Sequence, residues 1–196
     1  MENRPTIPII DNSIVQIGTQ VSMTKNLNVS RYRNGDPIPQ VTNSTQWRNL
    51  TTGAWCYYNN DPANGPIYGK LYNWQAVNDP RGLAPTGYHV PSEAEFTTLT
   101  NFLGGQSVAG GKMKAVTLWN NPNTGATNSS GFTGLPGGFR YLDGTFAYIR
   151  YDGCWWSSTY LGNPTARYCY LGSSIRDVQL PNGFTKYGYS VRCLKD

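Results

Sequence analysis

The sequence predicts an α+β protein with an antiparallel β-sheet, two short helices and long irregular loops. Three observations carry this. A capped amphipathic helix pattern stands in the first half. Runs that alternate apolar and polar residues crowd the last third. Glycine and proline, 22 and 13 of 196 residues, punctuate the chain throughout. Hydrophobic residues make up only 38% of the chain, and the aromatic 13% compensates, because each ring buries a large area.

The elements follow in order. Residues 1–13 read as an N-terminal tail and 14–196 as one domain. "IVQIGTQVSMTKNL" (14–27) predicts a hairpin: Val15 and Ile17 alternate with polar residues, Gly18-Thr19 turns, and Val21 and Met23 resume the period of two. "RYRNGDPIPQ" is a loop or edge strand. "GAWCYYNND" (53–61) predicts a strand. "IYGKLYNWQAV" (67–77) places Ile67, Leu71 and Trp74 at helical spacing, ending at Asp79-Pro80.

"GYHVPSEAEFTTLTNFLGG" (87–105) carries the clearest local signal. Ser92 is an N-cap, and Glu95 three residues on completes a capping box. Phe96, Leu99, Phe102 and Leu103 form the apolar face, and Gly104 stops the helix near 103. His89, just ahead of it, reads as a structural residue of the strand-to-helix joint. Residues 106–138 predict long ordered loops anchored by Trp119, Phe132 and Leu135. From 139 onward "FRYLDGTFAYI", "CWWSSTY", "RYCYL", "RDVQL" and "YSVRCL" predict strands, the last pairing with an early strand.

Charge and cysteine spacing exclude several functions. The net charge is +5, but the 16 Lys and Arg residues are scattered, so the clustered basic surface of a nucleic-acid binder is absent. No segment approaches the roughly 18 apolar residues of a membrane span. "MENRPTIPIIDNS" lacks the basic start and apolar stretch of a signal peptide, yet a Met can also head an exported chain whose leader is gone. Cys56, Cys154, Cys169 and Cys193 show no C-x-x-C spacing and lie far from His89, which argues against a zinc site. "GGQSVAGGK" lacks the following Ser/Thr and preceding strand of a phosphate loop. No paired carboxylates or Ser-His-Asp set stands out, so the sequence predicts no catalytic residues, no metal and no cofactor.

"IGTQVSMTKNL", "NGDPIP", "AWCYYNND", "YGKLYNWQAV", "PTGYHVPSEAEFTTL", "GFRYLDGTF", "WWSST" and "GYSVRC" resemble, in order over residues 14–195, the Fibrobacter succinogenes major paralogous domain. That resemblance implies a C-type lectin-like fold. It implies an exported bacterial setting, at the cell surface or in the periplasm, often as a lipoprotein or surface-attached protein, with any lipid anchor outside this stretch. Some members are similar to the variable proteins of diversity-generating retroelements, whose C-terminal segments are mutated into new binding surfaces. The family usually carries large aromatics at the positions of Ser22 and Gln75, and Trp at Phe96. The two polar departures read as tolerated surface positions or as changes that favour solubility. Cys56 and Cys193 match the family pattern, and in an exported chain the resemblance allows them to pair. Cys154 and Cys169 do not match it.

"WWSST" belongs to the family pattern and so reads as scaffold, with Trp155 and Trp156 on opposite faces of a strand. Around it the match is loose, from Arg150, Asp152 and Cys154 onward to Leu180. From Tyr160 to Tyr187 only Gln179 and Lys186 fall outside the residues encoded by NNY codons, the products of adenine-directed mutagenesis of Asn codons. Half of the 14 tyrosines lie between 141 and 187. Tyr, Ser, Gly, Asn and Arg are the residues of adaptable binding surfaces. Arg150, Tyr160, Arg167, Tyr168, Tyr170, Ser173, Arg176 and Tyr187 are therefore the candidate contact residues, with Tyr168 and Tyr170 sharing a face that Arg167 opposes.

The expected function is a non-enzymatic module, part of a surface-attached protein, that binds a protein or glycan. Two alternatives stand beside it. One is a catalytic domain similar to formylglycine-generating enzymes, with Cys154 and Cys169 the local thiols. The other is a carbohydrate-binding or adhesion module. "WNNPN" (119–123) only partly echoes the calcium-lectin pattern, and 11 acids are few for a hard cation.

Overall fold

A computed structural model describes residues 14–196, so the tail expected over 1–13 lies outside the described residues. The chain runs β1 (Ile14–Ile17), β2 (Gln20–Met23), α1 (Ser44–Arg48), β3 (Trp55–Cys56), 3-10 turns at Tyr58–Asn60 and Pro62–Asn64, and α2 (Gly65–Tyr68). Next come β4 (Leu71–Tyr72), α3 (Trp74–Val77), β5 (Tyr88–His89), α4 (Glu93–Phe102) and α5 (Gln106–Met113). The last third holds β6 (Gly137–Arg140), β7 (Phe146–Ile149), β8 (Asp152–Gly162), β9 (Thr165–Gly172), β10 (Asn182–Phe184) and β11 (Leu194–Lys195). The protein is mixed α and β, with several small antiparallel sheets where the sequence suggested one: β1-β2-β11-β5, β10-β9-β8, β3-β4 and β6-β7.

The expected hairpin forms, with Gly18 at φ 62° in its turn. The C-terminal strand pairs with an early one, Leu194 opposite Ser22, and also with His89. α4 begins with the expected capping box. Phe96, Leu99 and Leu103 are buried, but Phe102 is 64% exposed and only flanks the apolar face.

Four expectations need correction. The helix over 67–77 is interrupted. Gly69 sits at φ 74°, and a Cβ there would lie 2.7 Å from the Leu27 carbonyl, so the chain turns out of the helix. Leu71 and Tyr72 then pair with Cys56 and Trp55, and a separate turn, α3, starts under Asn73. Two helical turns flanking a two-residue strand mimic one helical stripe. The strand over 53–61 shrinks to Trp55–Cys56, because Asn59 and Asn60 adopt left-handed φ of 53° and 57°. The loops over 106–138 contain a helix, α5. Its Gly110 and Gly111 serve close packing: a Cβ would lie 2.3 Å from the carbonyls of Asp177 and Gly125 respectively. "RDVQL" forms no strand beyond a bridge from Gln179 to Tyr170, and β10 pairs with β9 instead.

Strands β8 and β9 separate two apolar clusters. Trp156, Cys154, Ala166 and Tyr189 belong to one, and Trp155, Cys169, Leu171 and Phe132 to the other. A third cluster holds Trp47, Val41, Cys56 and Leu71. Cys56 and Cys193 are free buried thiols in different clusters, so the pairing that the resemblance allows is not formed.

Short strands leave many loop carbonyls to satisfy. Buried side chains supply the donors. All six tryptophans donate an indole N–H: Trp47, Trp55, Trp74, Trp119 and Trp156 to carbonyls, Trp155 to Asn26. Arg140 donates to the carbonyls of Val41, Thr42 and Gly144. Lys114 donates to those of Thr124, Gly172 and Ile175, and Arg192 to those of Met23, Phe132 and Thr133.

Candidate functional site

The β8–β9 ladder sets the candidate site. Asp152, Cys154 and Trp156 alternate onto one face of β8, and Tyr168, Tyr170 and Gly172 onto the paired face of β9. Trp156 and Tyr189 are fully buried beneath, with ring centroids 4.5 Å apart. Tyr168 leans on Tyr189, also at 4.5 Å. The array continues through Tyr187 to Tyr141 and Phe184, at 5.6 and 5.5 Å, and through Phe139 to Tyr148 at 5.6 Å. Tyr141, Tyr168, Tyr170 and Tyr187 are half-buried, and Tyr148 and Phe184 are exposed. The inner rings are held by packing while the outer edges meet solvent.

One carboxylate belongs to this face. Asp152 is half-buried, and Tyr170 donates its hydroxyl to Oδ1 at 3.1 Å. Gly172 permits this, since a Cβ there would lie 2.7 Å from the Tyr170 hydroxyl. Burial raises the Asp152 pKa, and the Tyr170 hydrogen bond opposes the rise. Burial pushes Tyr170 and Tyr168 well above the ordinary tyrosine range, with Asp152 adding to both.

The structure divides the predicted contact residues into four groups. Tyr168, Tyr170 and Tyr187 meet on the face just described. Tyr160 is 51% exposed and stacks on Trp74, at 4.8 Å. Arg167, on the opposite face of β9, pairs with Glu93 at 3.0 Å and donates to the Leu180 carbonyl and the Asn182 side chain. Arg150, Ser173 and Arg176 line the loops around α5, where their carbonyls accept from Asn120, Thr124 and Gly111. Arg150 and Arg176 are exposed, but Ser173 is only 6% exposed and is corrected from contact residue to scaffold. Its amide donates to Tyr151 and its carbonyl accepts from Thr124, so it locks two loops together. Asp152, Tyr141 and Tyr148 were absent from the predicted set. Alternation from Trp156 through Cys154 already points Asp152 to the Tyr168 face.

Residues 15–195 match the family model of the Fibrobacter succinogenes major domain. The chain belongs to this family. No curated protein and no solved structure matches it in the parallel comparisons.

In this family member the four thiols are buried. Burial pushes Cys56, Cys169 and Cys193 up to about 12 and Cys154 well above its ordinary value, so all are neutral thiols. Cys154 and Cys169 lie in the clusters on opposite sides of the sheet. His89 sits at its expected joint: Nδ1 meets Asp196 at 2.7 Å and Nε2 meets Glu95 at 2.8 Å. Among the described residues no group of three or more His, Cys, Asp or Glu could hold a metal ion, and no helix is long and apolar enough to cross a membrane.

Proposed function

We propose that this chain is a non-enzymatic binding module of an exported or surface-attached bacterial protein. Its scaffold is C-type lectin-like, and its contact surface is the tyrosine face of β8–β9. The observation that carries this reading is the layered array: half-exposed tyrosines resting on the fully buried Trp156 and Tyr189. Such rings present large amphipathic area whose ordering entropy is already lost in the fold. The ligand is a protein or a glycan. The loose family match over the same strands favours a diversified surface, which a reverse transcriptase and a near-copy template repeat in the neighbouring genome would support. The burial of Cys154 and Cys169 in clusters on opposite sides of the sheet favours this reading over a formylglycine-type reaction, which needs a reactive thiol pair.

The test is selection of ligands from a displayed peptide library and from a glycan array with and without chelator. Tyr168→Ala and Tyr187→Ala should each weaken a selected ligand by roughly 1–3 kcal/mol. Ligands that bind the intact protein and both variants equally would place the contact surface elsewhere.

A further inference from the structure

Among the described residues, the β8–β9 part of the tyrosine face carries one carboxylate, Asp152, and no cation. The nearby buried and paired cations are turned to other partners. Arg167 projects from the opposite face of β9 to Glu93. Lys186 donates to the Arg48 carbonyl, and Arg140 is buried against three carbonyls. Arg150 is exposed on the turn before β8, and among the described residues no ion pair joins it to Asp152. In a chain of net charge +5, a half-buried acid with no counter-charge is conspicuous. Asp152 has one oxygen fixed by Tyr170. Among the described residues its other oxygen receives no protein hydrogen bond, and it is not sealed from solvent.

Resting on the binding-module reading, we propose that this face seats an arginine side chain of a polypeptide ligand, its guanidinium paired with Asp152 and lying against the Tyr168–Tyr170 rings. Three features favour guanidinium. It is planar, so it stacks on an aromatic face. Its fork of donors suits a carboxylate. It is more weakly hydrated than an ammonium, so it enters a half-buried site at lower cost. The ligand cation also restores the charged form of Asp152, which burial disfavours.

The experiment is an NMR titration of the ¹⁵N-labelled full chain with the N-acetyl, N-methylamide derivatives of arginine, lysine and citrulline, and with N-acetylglucosamine. The arginine derivative should shift the amides of Asp152, Tyr168 and Tyr170 saturably. Citrulline has nearly the same shape without the charge, and should bind roughly tenfold or more weakly. Asp152→Asn should lose arginine binding by a similar factor, with the rest of its spectrum unchanged. Equal binding of arginine and citrulline, undiminished binding to Asp152→Asn, lysine binding as tight as arginine, or no arginine-dependent shift at these residues would each overturn the proposal. If N-acetylglucosamine or selected arginine-free peptides shift the same amides while arginine does not, the arginine assignment falls and the binding surface stands. If selected ligands shift only amides elsewhere, the surface itself is wrong.

Discussion

At the scale of residues, the buried cations do work that regular secondary structure does elsewhere. Arg140 is fully buried among Val41, Thr42 and Gly144, with its guanidinium 4.4 Å from the Trp47 ring centroid. Its partners are carbonyl dipoles and a π face. Arg140→Met keeps much of the volume but strands three carbonyls, so the protein should lose about 3–5 kcal/mol in urea unfolding. A loss under 1 kcal/mol would mean that water replaces the guanidinium. Lys114 follows the same logic. Burial lowers its pKa to about 8, and its three carbonyl acceptors match the three donors of an ammonium. The two polar departures from the family pattern now separate. Ser22 is 1% exposed, buried in β2 beside Phe96 and Arg192, and is not a surface position. Gln75 is half-buried, and its Oε1 is sealed without a protein partner. Gln75→Tyr should therefore raise stability by about 1 kcal/mol, read as a higher melting temperature. An unchanged or lower value would argue against a cost for that unpartnered oxygen.

At the scale of elements, the joint between β5 and α4 predicts a pH response. His89 bridges Asp196 and Glu95, tying the C-terminus to the start of α4. Burial alone would lower the His89 pKa, but hydrogen bonds and charge from Asp196 and Glu95 outweigh it and raise the value above 6.5. Its contribution is thus complete below 6.5 and is lost as pH rises through the raised folded value. Glu95 runs the other way. Burial raises it, but the Ser92 and His89 bonds outweigh burial and lower it below 4.5. Its contribution is present above 4.5 and fades as pH falls through the lowered folded value. The joint should be firmest between 4.5 and 6.5. Urea midpoints measured across pH should show this, and His89→Gln should flatten the alkaline side. An alkaline limb identical to that of the unaltered protein would remove His89 from the account.

At the scale of the whole molecule, three apolar clusters enclose every thiol. Native protein should resist iodoacetamide, and after denaturation without reductant all four cysteines should be labelled. Only two labels would reveal a disulfide. The same packing explains which parts of the fold were legible in the sequence. The α4 capping box, the β1–β2 hairpin and the opposed Trp155 and Trp156 rest on residues within a turn or a strand of one another, so local pattern sufficed. The family match supplied the order of the remaining segments.

Other features depended on partners far along the chain. Gly69 ends α2 because the Leu27 carbonyl lies against it, and Gly110 and Gly111 admit the backbones of Asp177 and Gly125 within α5. Ser173 looked like a paratope residue until Tyr151 and Thr124 closed over its backbone. The aromatic composition and the alternation of β8 and β9 determined that a tyrosine face would exist. Only the tertiary structure decided which rings join it, because Tyr141, Tyr148 and Tyr187 arrive from outside the ladder. Among the described residues it also left Asp152 there without a counter-ion: Arg140 and Lys186 are drawn to carbonyls and Arg167 to Glu93.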